Sequence, residues 1–259
     1  MNSAGVSQRW RRLAVAFLAA MFTVCLLPAA ALGGSNDYFS FPPEPAPWSY
    51  GNVIINTMSP DAKPVTFSHW VHRIRYTCRV CHFELNFSFT KGGTGMTMEG
   101  IVEGKYCGVC HNGTAAFGPE NCNRCHDGGK GPSKEEFDKL TRDFPKAGHG
   151  NHIDWTEAVR HRLIKPVHFL HDRPPRGFPT RNLVLQADWS GVPPAIFPHT
   201  VHRFWLDCNN CHPDPFNIKK KGTPGSNMMA YLNGKFCGVC HGKVSFPLQD
   251  CRRCHITMQ

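Results

Sequence analysis

Twelve of the thirteen cysteines in this 259-residue chain fall into six C-x-x-C pairs, and a histidine directly follows every pair. This spacing is the signature of c-type heme attachment, in which two thiols form thioether bonds with the vinyl groups of one porphyrin. The adjacent histidine then reaches the iron as its proximal ligand. The six motifs are Cys78/Cys81/His82, Cys107/Cys110/His111, Cys122/Cys125/His126, Cys208/Cys211/His212, Cys237/Cys240/His241 and Cys251/Cys254/His255. The sequence therefore predicts six covalently bound heme c groups, and these twelve cysteines leave none for a disulfide.

Zinc binding is the main alternative chemistry, because C-x-x-C pairs also build zinc sites. A single C-x-x-C-H motif would leave both interpretations open. Histidine accounts for only 15 of the 259 residues. Six histidines following six pairs by chance have a probability of roughly one in ten million or less, so the pattern favours heme.

The first 34 residues have the order of a secretory signal peptide. Residues 7–12 are basic, residues 13–27 are apolar and uncharged, and residues 28–34 are mostly small. This pattern predicts a signal peptide over residues 1–31 with cleavage after Ala31. Thioether attachment of heme takes place outside the cytoplasm, which agrees with export. We expect a periplasmic protein, or one that is associated with the outer membrane or extracellular.

An uncleaved membrane anchor is the alternative for the same segment. Residues 13–32 make 20 uncharged, mostly apolar positions, which is just enough to span a bilayer. The small residues that follow favour cleavage. Contact with a membrane is therefore expected only through the signal peptide or such an anchor, and Cys25 is interpreted as part of the removed segment.

The motifs belong to an internal repeat. Residues 67–82, FSHWVHRIRYTCRVCH, are similar to residues 197–212, FPHTVHRFWLDCNNCH. The offset of 130 positions holds through the second motif of each copy and changes by one before the third motif. The sequence therefore predicts two tandem triheme modules, at residues 62–127 and 192–259.

Two further segments complete the predicted domain organisation. Residues 32–61 form a Pro-rich N-terminal segment, and residues 128–191 form a linker with short helices. In the linker, Ser133 is followed by Glu136 in the pattern of a helix N-terminus, and Asp154 begins a second predicted helix.

The predicted fold class has few regular secondary structures. Each module provides only about 60 residues for three hemes, too few to build an ordinary hydrophobic core around them. Glycine and proline are frequent, with 24 and 21 residues. We expect a multiheme cytochrome c of short helices and loops wrapped around covalently bound hemes, with each attachment motif on a single helical turn and little sheet.

Each module begins with an H-x-x-H pattern, at His69 and His72 and again at His199 and His202. Two residues three positions apart on a helix lie on the same side but are offset along its axis. Such a pair can ligate two neighbouring irons from their distal faces. Its recurrence at the same offset favours ligation over two unrelated surface histidines.

With these motifs in order, the two modules resemble the triheme cytochrome c-seven family and its tandem relatives in the cytochrome c-three superfamily. The resemblance implies that the first histidine of H-x-x-H serves the first heme of its module, and the second histidine serves the second heme. The simple family members use a histidine before the second motif for the third heme, but Glu103 and Asn233 stand there in this chain. Tandem relatives use methionine, which implies Met98 and Met228.

The linker offers an alternative ligand set for the third hemes. Five histidines lie there: His149, His152, His161, His168 and His171. Two of them could complete an all-histidine set, and methionine would then act as a core gap-filler.

These features predict an electron-transfer protein rather than an enzyme, conducting electrons along closely packed hemes. Candidate ligands outnumber the irons, and no motif replaces its histidine. The alternatives are a multiheme reductase with an open heme site and a subunit of a polymeric cytochrome filament. The expected partners are other redox proteins as donor and acceptor, namely periplasmic or outer-membrane cytochromes and quinol oxidoreductases.

The formal charge of +10 would ordinarily suggest nucleic acid as a partner. Removal of the signal peptide lowers it to +7, and heme propionates bring further negative charge. The chain has no basic run or aromatic platform for bases, so we expect no nucleic-acid binding.

Overall fold

The computed structural model describes residues 41–171, 181–187, 189, 191–217 and 222–258. The predicted signal peptide, including Cys25 and its cleavage site, lies outside the described residues. The chain divides into two units, residues 1–42 and 43–259, and both repeats lie in the second unit. Within the described ranges, no helix is long and apolar enough to cross a membrane.

An antiparallel strand pair opens the first module. Strand β1 (Asn52–Ile55) pairs with strand β2 (Val65–Ser68), and Val53 lies opposite Phe67. Both strands are rich in β-branched residues, which suit an extended backbone. The first strand of this pair belongs to the segment preceding residue 62, so the module's structure begins earlier than its motifs indicate.

The second module opens in the same way. Strand β3 (Leu183–Leu185) pairs with strand β4 (Ala195–Phe197), and Leu183 lies opposite Phe197. Both residues stand 130 positions after their counterparts in the first module. The repeat therefore includes a strand from the end of the linker as well as the strand within the module.

Short helices and single turns make up the other regular structure. The helices in the described residues are α1 (His69–Arg73), α2 (Met98–Val102), α3 (Cys122–Cys125), α4 (Lys134–Thr141), α5 (Trp155–Arg160), α6 (His199–Trp205) and α7 (Met228–Leu232). Shorter turns occupy Tyr106–Val109, Cys208–Asn210, Phe236–Val239 and Cys251–Arg253 as 3-10 helix, and Val80–Glu84 as π-helix. All six attachment motifs thus lie on or beside a single turn, and the predicted fold class is confirmed.

Side-chain caps fix where several helices begin. Thr97 accepts a hydrogen bond from Gly100 N at the start of α2, and Asn227 accepts one from Ala230 N at the start of α7. In the linker, Ser133 caps α4 as the sequence predicts. Such caps satisfy N–H groups that a short helix leaves without partners.

A small apolar core joins the N-terminal segment, α1 and the linker. Trp70, Phe137 and Ile153 are buried together, and the rings of Trp70 and Phe137 meet edge-to-face at 5.1 Å. The Trp70 indole also donates a hydrogen bond to Trp48 O at 2.9 Å. Apart from proline, only seven hydrophobic side chains are buried in the described residues, so the polypeptide core is small for a chain of this length.

Candidate heme-binding site

A cavity of about 2510 Å³ runs along five of the six attachment motifs. Its volume is more than twice the upper end of the range that ordinary ligand pockets show, which is about 1,000 Å³. The motif residues that line it are Cys78, Cys81, His82, Cys107, Cys208, Cys211, His212, Cys237, Cys240, His241, Cys251, Cys254 and His255. Among the described residues, no two cysteines are joined by a disulfide. A space of this size, bordered by paired thiols and imidazoles, fits several porphyrins.

The remaining motif residues, all in the first module, lie outside the lining of this cavity: Cys110, His111, Cys122, Cys125 and His126. Cys110 follows the turn Tyr106–Val109 and is half-buried beside Tyr76. Burial raises the pKa of Tyr76, and the neighbouring Cys110 thiol raises it further. The two thiols of the second motif, which the sequence assigns to one porphyrin, therefore differ in their surroundings, since Cys107 lines the cavity and Cys110 does not. Heme attachment through Cys110 stays a prediction.

Three pairs of predicted ligands face one another. The ring centroids of His69 and His82 are 6.4 Å apart, with planes only 4° from parallel. His72 and His111 are 6.2 Å apart. An iron ligated by two imidazoles holds their ring centroids about 6 Å apart, since each metal–nitrogen bond spans about 2 Å.

The second module repeats one of these pairings. The ring centroids of His202 and His241 are 6.2 Å apart at 54°, against 55° for the equivalent pair in the first module. The three pairings join each distal histidine to the proximal histidine that the family resemblance implies for it. The spacing leaves room for one metal ion between each pair of rings.

A common hydrogen-bond pattern orients the predicted histidine ligands. In all ten, Nδ1 lies 2.5 to 3.1 Å from a backbone carbonyl oxygen, which can only accept. Nδ1 therefore carries the proton, and Nε2 is left with its lone pair. This is the arrangement that holds a metal-ligating histidine in its required tautomer and orientation.

Some of the carbonyl acceptors lie far from the histidine in sequence. His69 donates to Gly51 O at 2.7 Å, and His199 donates to Arg181 O at 2.8 Å, 18 positions away in both modules. Gly51 and Arg181 lie outside the predicted module limits. These acceptors were not predicted from the sequence, because every residue carries a backbone carbonyl. The only available signal was that the two acceptors are 130 positions apart, the same offset as in the repeat.

The histidine of the third motif in each module is hydrogen-bonded to a backbone carbonyl near the start of the same module. His126 donates to Lys63 O at 2.7 Å, and His255 donates to Pro193 O at 2.5 Å. The two acceptors stand 130 positions apart. These bonds bring the last attachment motif of each module into contact with the start of that module.

Phenylalanine packs against both histidines of each H-x-x-H pattern. The ring of Phe67 stacks on His72 at 4.4 Å and meets the edge of His69 at 4.8 Å. Phe197 makes the same contacts with His202 at 4.2 Å and His199 at 4.7 Å. The fixed spacing of Phe67 and Phe197, two residues before the first histidine of each pattern, is the sequence signal for this packing role.

Burial favours the neutral form of five of these imidazoles by lowering their pKa. It lowers the pKa of His69 and of His241 to about 4, although a hydrogen bond to a backbone carbonyl opposes the shift in each case. Burial also lowers the pKa of His72, His82 and His202. A neutral imidazole is the form that binds a metal ion.

The two predicted methionine ligands occupy equivalent positions, each at the first residue of a helix. Met98 begins α2 with its side chain 49% exposed, and Met228 begins α7 and lines the cavity. The neighbouring Met96 also lines the cavity, with its sulfur 3.5 Å from Cys107 Sγ. Ligation by Met98 and Met228 stays a prediction.

The helices that carry these methionines pack directly against the second attachment motif. A Cβ at Gly108 would lie 1.9 Å from Ile101 O, and a Cβ at Gly238 would lie 1.9 Å from Tyr231 O. No other residue type avoids that clash. The glycine in both C-G-V-C-H motifs is therefore required by the helix that precedes it.

The five linker histidines have different environments. His149 lines the cavity, and its Nδ1 lies 2.6 Å from Glu44 Oε1. His168 meets the ring of Phe204 edge-on at 4.5 Å. The remaining three are exposed: His152, His161 and His171.

Comparison with known proteins gives a consistent set of matches. The family model described as cytochrome c7 and related cytochrome c matches residues 65–127 and 195–256. A solved c7-type three-heme cytochrome domain is 33% identical, with 33% of this chain and 95% of that chain covered and a TM-score of 0.27. No curated protein matches the chain.

Two longer solved structures also match. The C-terminal hexaheme fragment of GSU1996 is 26% identical, with 83% of this chain and 99% of that chain covered and a TM-score of 0.27. The dodecaheme cytochrome c GSU1996 is 27% identical, with 79% of this chain covered and a TM-score of 0.27. The match spans 48% of that dodecaheme chain.

Proposed function

Because residues 65–127 and 195–256 make this chain a member of the family of cytochrome c7 and related cytochrome c, we propose that it is a hexaheme cytochrome conducting electrons between redox partners. The family is one of multiheme c-type cytochromes that transfer electrons. The proposal also specifies the number of hemes, the ligands of each iron and the location of the protein.

The observation that carries the proposal is the shared orientation of ten histidines. Each donates Nδ1–H to a backbone carbonyl, and three distal–proximal pairs stand at the spacing expected for one iron between two imidazoles. Unrelated surface histidines would have no reason to share this arrangement. It supports bis-histidine ligation for the first two hemes of the first module and for the second heme of the second module.

Heme, when bound, supplies one-electron chemistry at iron. The chain's own residues hold it: the paired cysteines fix the porphyrin covalently, and the histidines set the iron's ligand field. Phe67 and Phe197 stack on His72 and His202 and help to hold these rings in place. For the third heme of each module we propose Met98 and Met228 as the distal ligands.

We propose export to the periplasm or the outer cell surface, and electron exchange there with other redox proteins such as periplasmic cytochromes or quinol oxidoreductases. The support is the signal-peptide pattern of residues 1–31 and the extracytoplasmic chemistry of thioether attachment. The chain offers two side chains for each of the six irons, and heme held in this way would carry electrons without an open position for a substrate.

Two measurements on the purified protein test the proposal. Intact mass and the pyridine hemochrome spectrum should give six hemes per chain, and a potentiometric titration followed by EPR should show low-spin iron throughout. Fewer hemes would contradict the count. A high-spin ferric signal in the oxidised protein would favour a reductase with an open heme site.

A further inference from the structure

The first attachment turn of one module lies against the first attachment turn of the other. In the first module this turn is Val80–Glu84, and in the second it is Cys208–Asn210. Arg79 Nε donates to Asp207 Oδ2 at 3.1 Å, and Asn210 Nδ2 donates to His82 O at 2.9 Å. These two bonds, between Arg79 and Asp207 and between Asn210 and His82, are called the inter-module contact below.

The side chain of Arg79 is buried in this contact and interacts with several groups around it. Its side chain is 8% exposed and lies between the two cysteines of the first motif. It also pairs with Glu84 and donates to His168 O at 3.2 Å. Its guanidinium stands 4.1 Å from the ring centroid of Phe169. Two carboxylates and a linker carbonyl therefore hold the buried side chain of Arg79 in one orientation. Removing a partner would be costly, because it would leave part of a buried charge uncompensated.

The inter-module contact is not part of the triheme repeat. The residue 130 positions after Arg79 is Asn209, which is exposed. The residue 130 positions before Asp207 is Thr77, which donates to Val167 O in the linker. A feature required for holding three hemes would occur in both copies of the repeat. Because the bond between Arg79 and Asp207 does not, we interpret it as a bond that joins the two modules.

Further hydrogen bonds join helix α1 and the segment just before β1 to the second module. Arg73 Nη2 donates to Val244 O at 2.7 Å, and Tyr50 OH donates to Ser245 O at 2.6 Å. Both acceptors follow the second motif of the second module. Among the described residues, no hydrogen bond or ion pair links the first module's third motif, residues 122–126, to the second module.

We propose that Arg79, Asp207 and Asn210 are positioning residues, which hold the first heme of each module side by side and make this the place where electrons cross between modules. The proposal rests on the hexaheme function given above. One ferrous iron is oxidised to ferric, one ferric iron in the other module is reduced to ferrous, and no bond or proton is exchanged. The crossing therefore depends only on separation and orientation, which the inter-module contact fixes.

The test uses the full-length holoprotein in two redox states. In the fully reduced, diamagnetic protein, nuclear Overhauser effects should connect the thioether substituents of the heme at Cys78 and Cys81 with those of the heme at Cys208 and Cys211. In partly oxidised samples, heme-methyl signals report the rate of intramolecular electron exchange. The double variant Asp207→Asn, Asn210→Asp keeps both side-chain shapes and the local turn, but it removes the negative charge that faces Arg79 and the donor that faces His82 O. Exchange between modules should slow severalfold, and exchange within each module should not change.

A matched control makes the same chemical changes outside the inter-module contact. Asp250→Asn with Asn112→Asp alters one residue before the sixth motif and one exposed residue after the second. The carboxylate of Asp250 pairs with Arg253, and the side chain of Asn112 bonds Val109, Thr114 and Ala115, so these bonds stay within one module. It should exchange electrons at the wild-type rate. Unchanged exchange in the Asp207→Asn, Asn210→Asp variant, or inter-module Overhauser effects that connect a different pair of hemes, would overturn the proposal. Fewer than six sets of heme signals in wild type would instead contradict the proposed function.

Discussion

Gly51 and His69 are joined by a hydrogen bond of 2.7 Å from the imidazole Nδ1 to the glycine carbonyl. Gly51 has a φ of +82°, and a Cβ there would meet the Cβ of His69 and Val244 Cα at 3.6 Å. The glycine thus lets the chain present a carbonyl to His69, the first predicted distal ligand, while Val244 of the second module packs against it.

Replacing Gly51 with valine should strain the backbone and disturb His69. A left-handed φ costs an L-residue about 1–2 kcal/mol. We expect a loss of that order in the free energy of unfolding, measured by denaturant titration. The potential of the first heme should shift as well, because its distal histidine loses its fixed orientation. Gly92 has a φ of +80° with open space around it, so Gly92→Val should lower stability without shifting any heme potential.

Gly108→Ala and Gly238→Ala should each destabilise one module. The added methyl group would lie 1.9 Å from a helix carbonyl oxygen, and the helix must shift to admit it. We expect a cost of about 1–3 kcal/mol for each substitution, together with a changed spectrum for the second or third heme of that module. A methyl group added at Gly148 would meet nothing within 4 Å, and Gly148→Ala should have almost no effect. Equal stabilities for the three variants would contradict this explanation of the C-G-V-C-H glycine.

Met98→Ala and Met228→Ala should each remove one thioether ligand. Methionine in place of histidine raises the potential of a heme. Each substitution should therefore abolish part of the far-red charge-transfer absorption of thioether-ligated ferric heme and lower one reduction potential. Met96→Ala and Met229→Ala are the neighbouring controls and should leave both readouts unchanged. A wild-type spectrum with bis-histidine signatures alone would exclude this assignment and favour the linker histidines.

Glu44 should make stability depend on pH in the acid range. Burial alone would raise its pKa, but hydrogen bonds from Gly150 N, His149 and Gln249 outweigh that effect and lower the pKa below 4.5. A carboxyl group with a lowered pKa in the folded state stabilises the protein above its unfolded-state pKa, and this contribution is lost as the pH falls through the folded-state value.

Glu44→Gln should therefore cost about 1 kcal/mol or less at pH 7, given the group's partial exposure, and flatten the decline in stability below pH 4.5. Urea titrations across that range measure both effects. Glu103, in an exposed pair with Lys105, is the control, and its substitution by glutamine should change little. An undiminished acid dependence in Glu44→Gln would assign the effect to other carboxylates.

The sequence was most informative where chemistry requires a particular side chain at a fixed spacing. Cysteine and histidine cannot be exchanged for other residues in heme attachment, and capping residues such as Ser133 have specific donors to satisfy. Backbone acceptors behave differently. The carbonyls of Gly51 and Lys63 orient two predicted ligands, but a carbonyl is present at every position, so residue type carries no signal for it.

The contact between the two modules also could not be predicted from the sequence. Arg79 and Asp207 are 128 positions apart and occupy unequal places in the two copies. A repeat reveals what is common to its copies, and the inter-module contact is what differs between them. The different surroundings of Cys107 and Cys110 likewise have no counterpart in the C-x-x-C pattern, which treats both thiols alike. Short strands such as β3, three residues long, gave no periodic signal either.

The hydrogen bonds from His126 to Lys63 and from His255 to Pro193 have a kinetic consequence. They join residues 63 and 62 positions apart, whereas the two histidines of each H-x-x-H pattern bond carbonyls at most 18 positions away. Closing a long loop costs more chain entropy than closing a short one, and contacts between distant residues slow folding. We therefore expect each module to assemble first from segments that are close in sequence, and the bond of its last histidine to form late in folding.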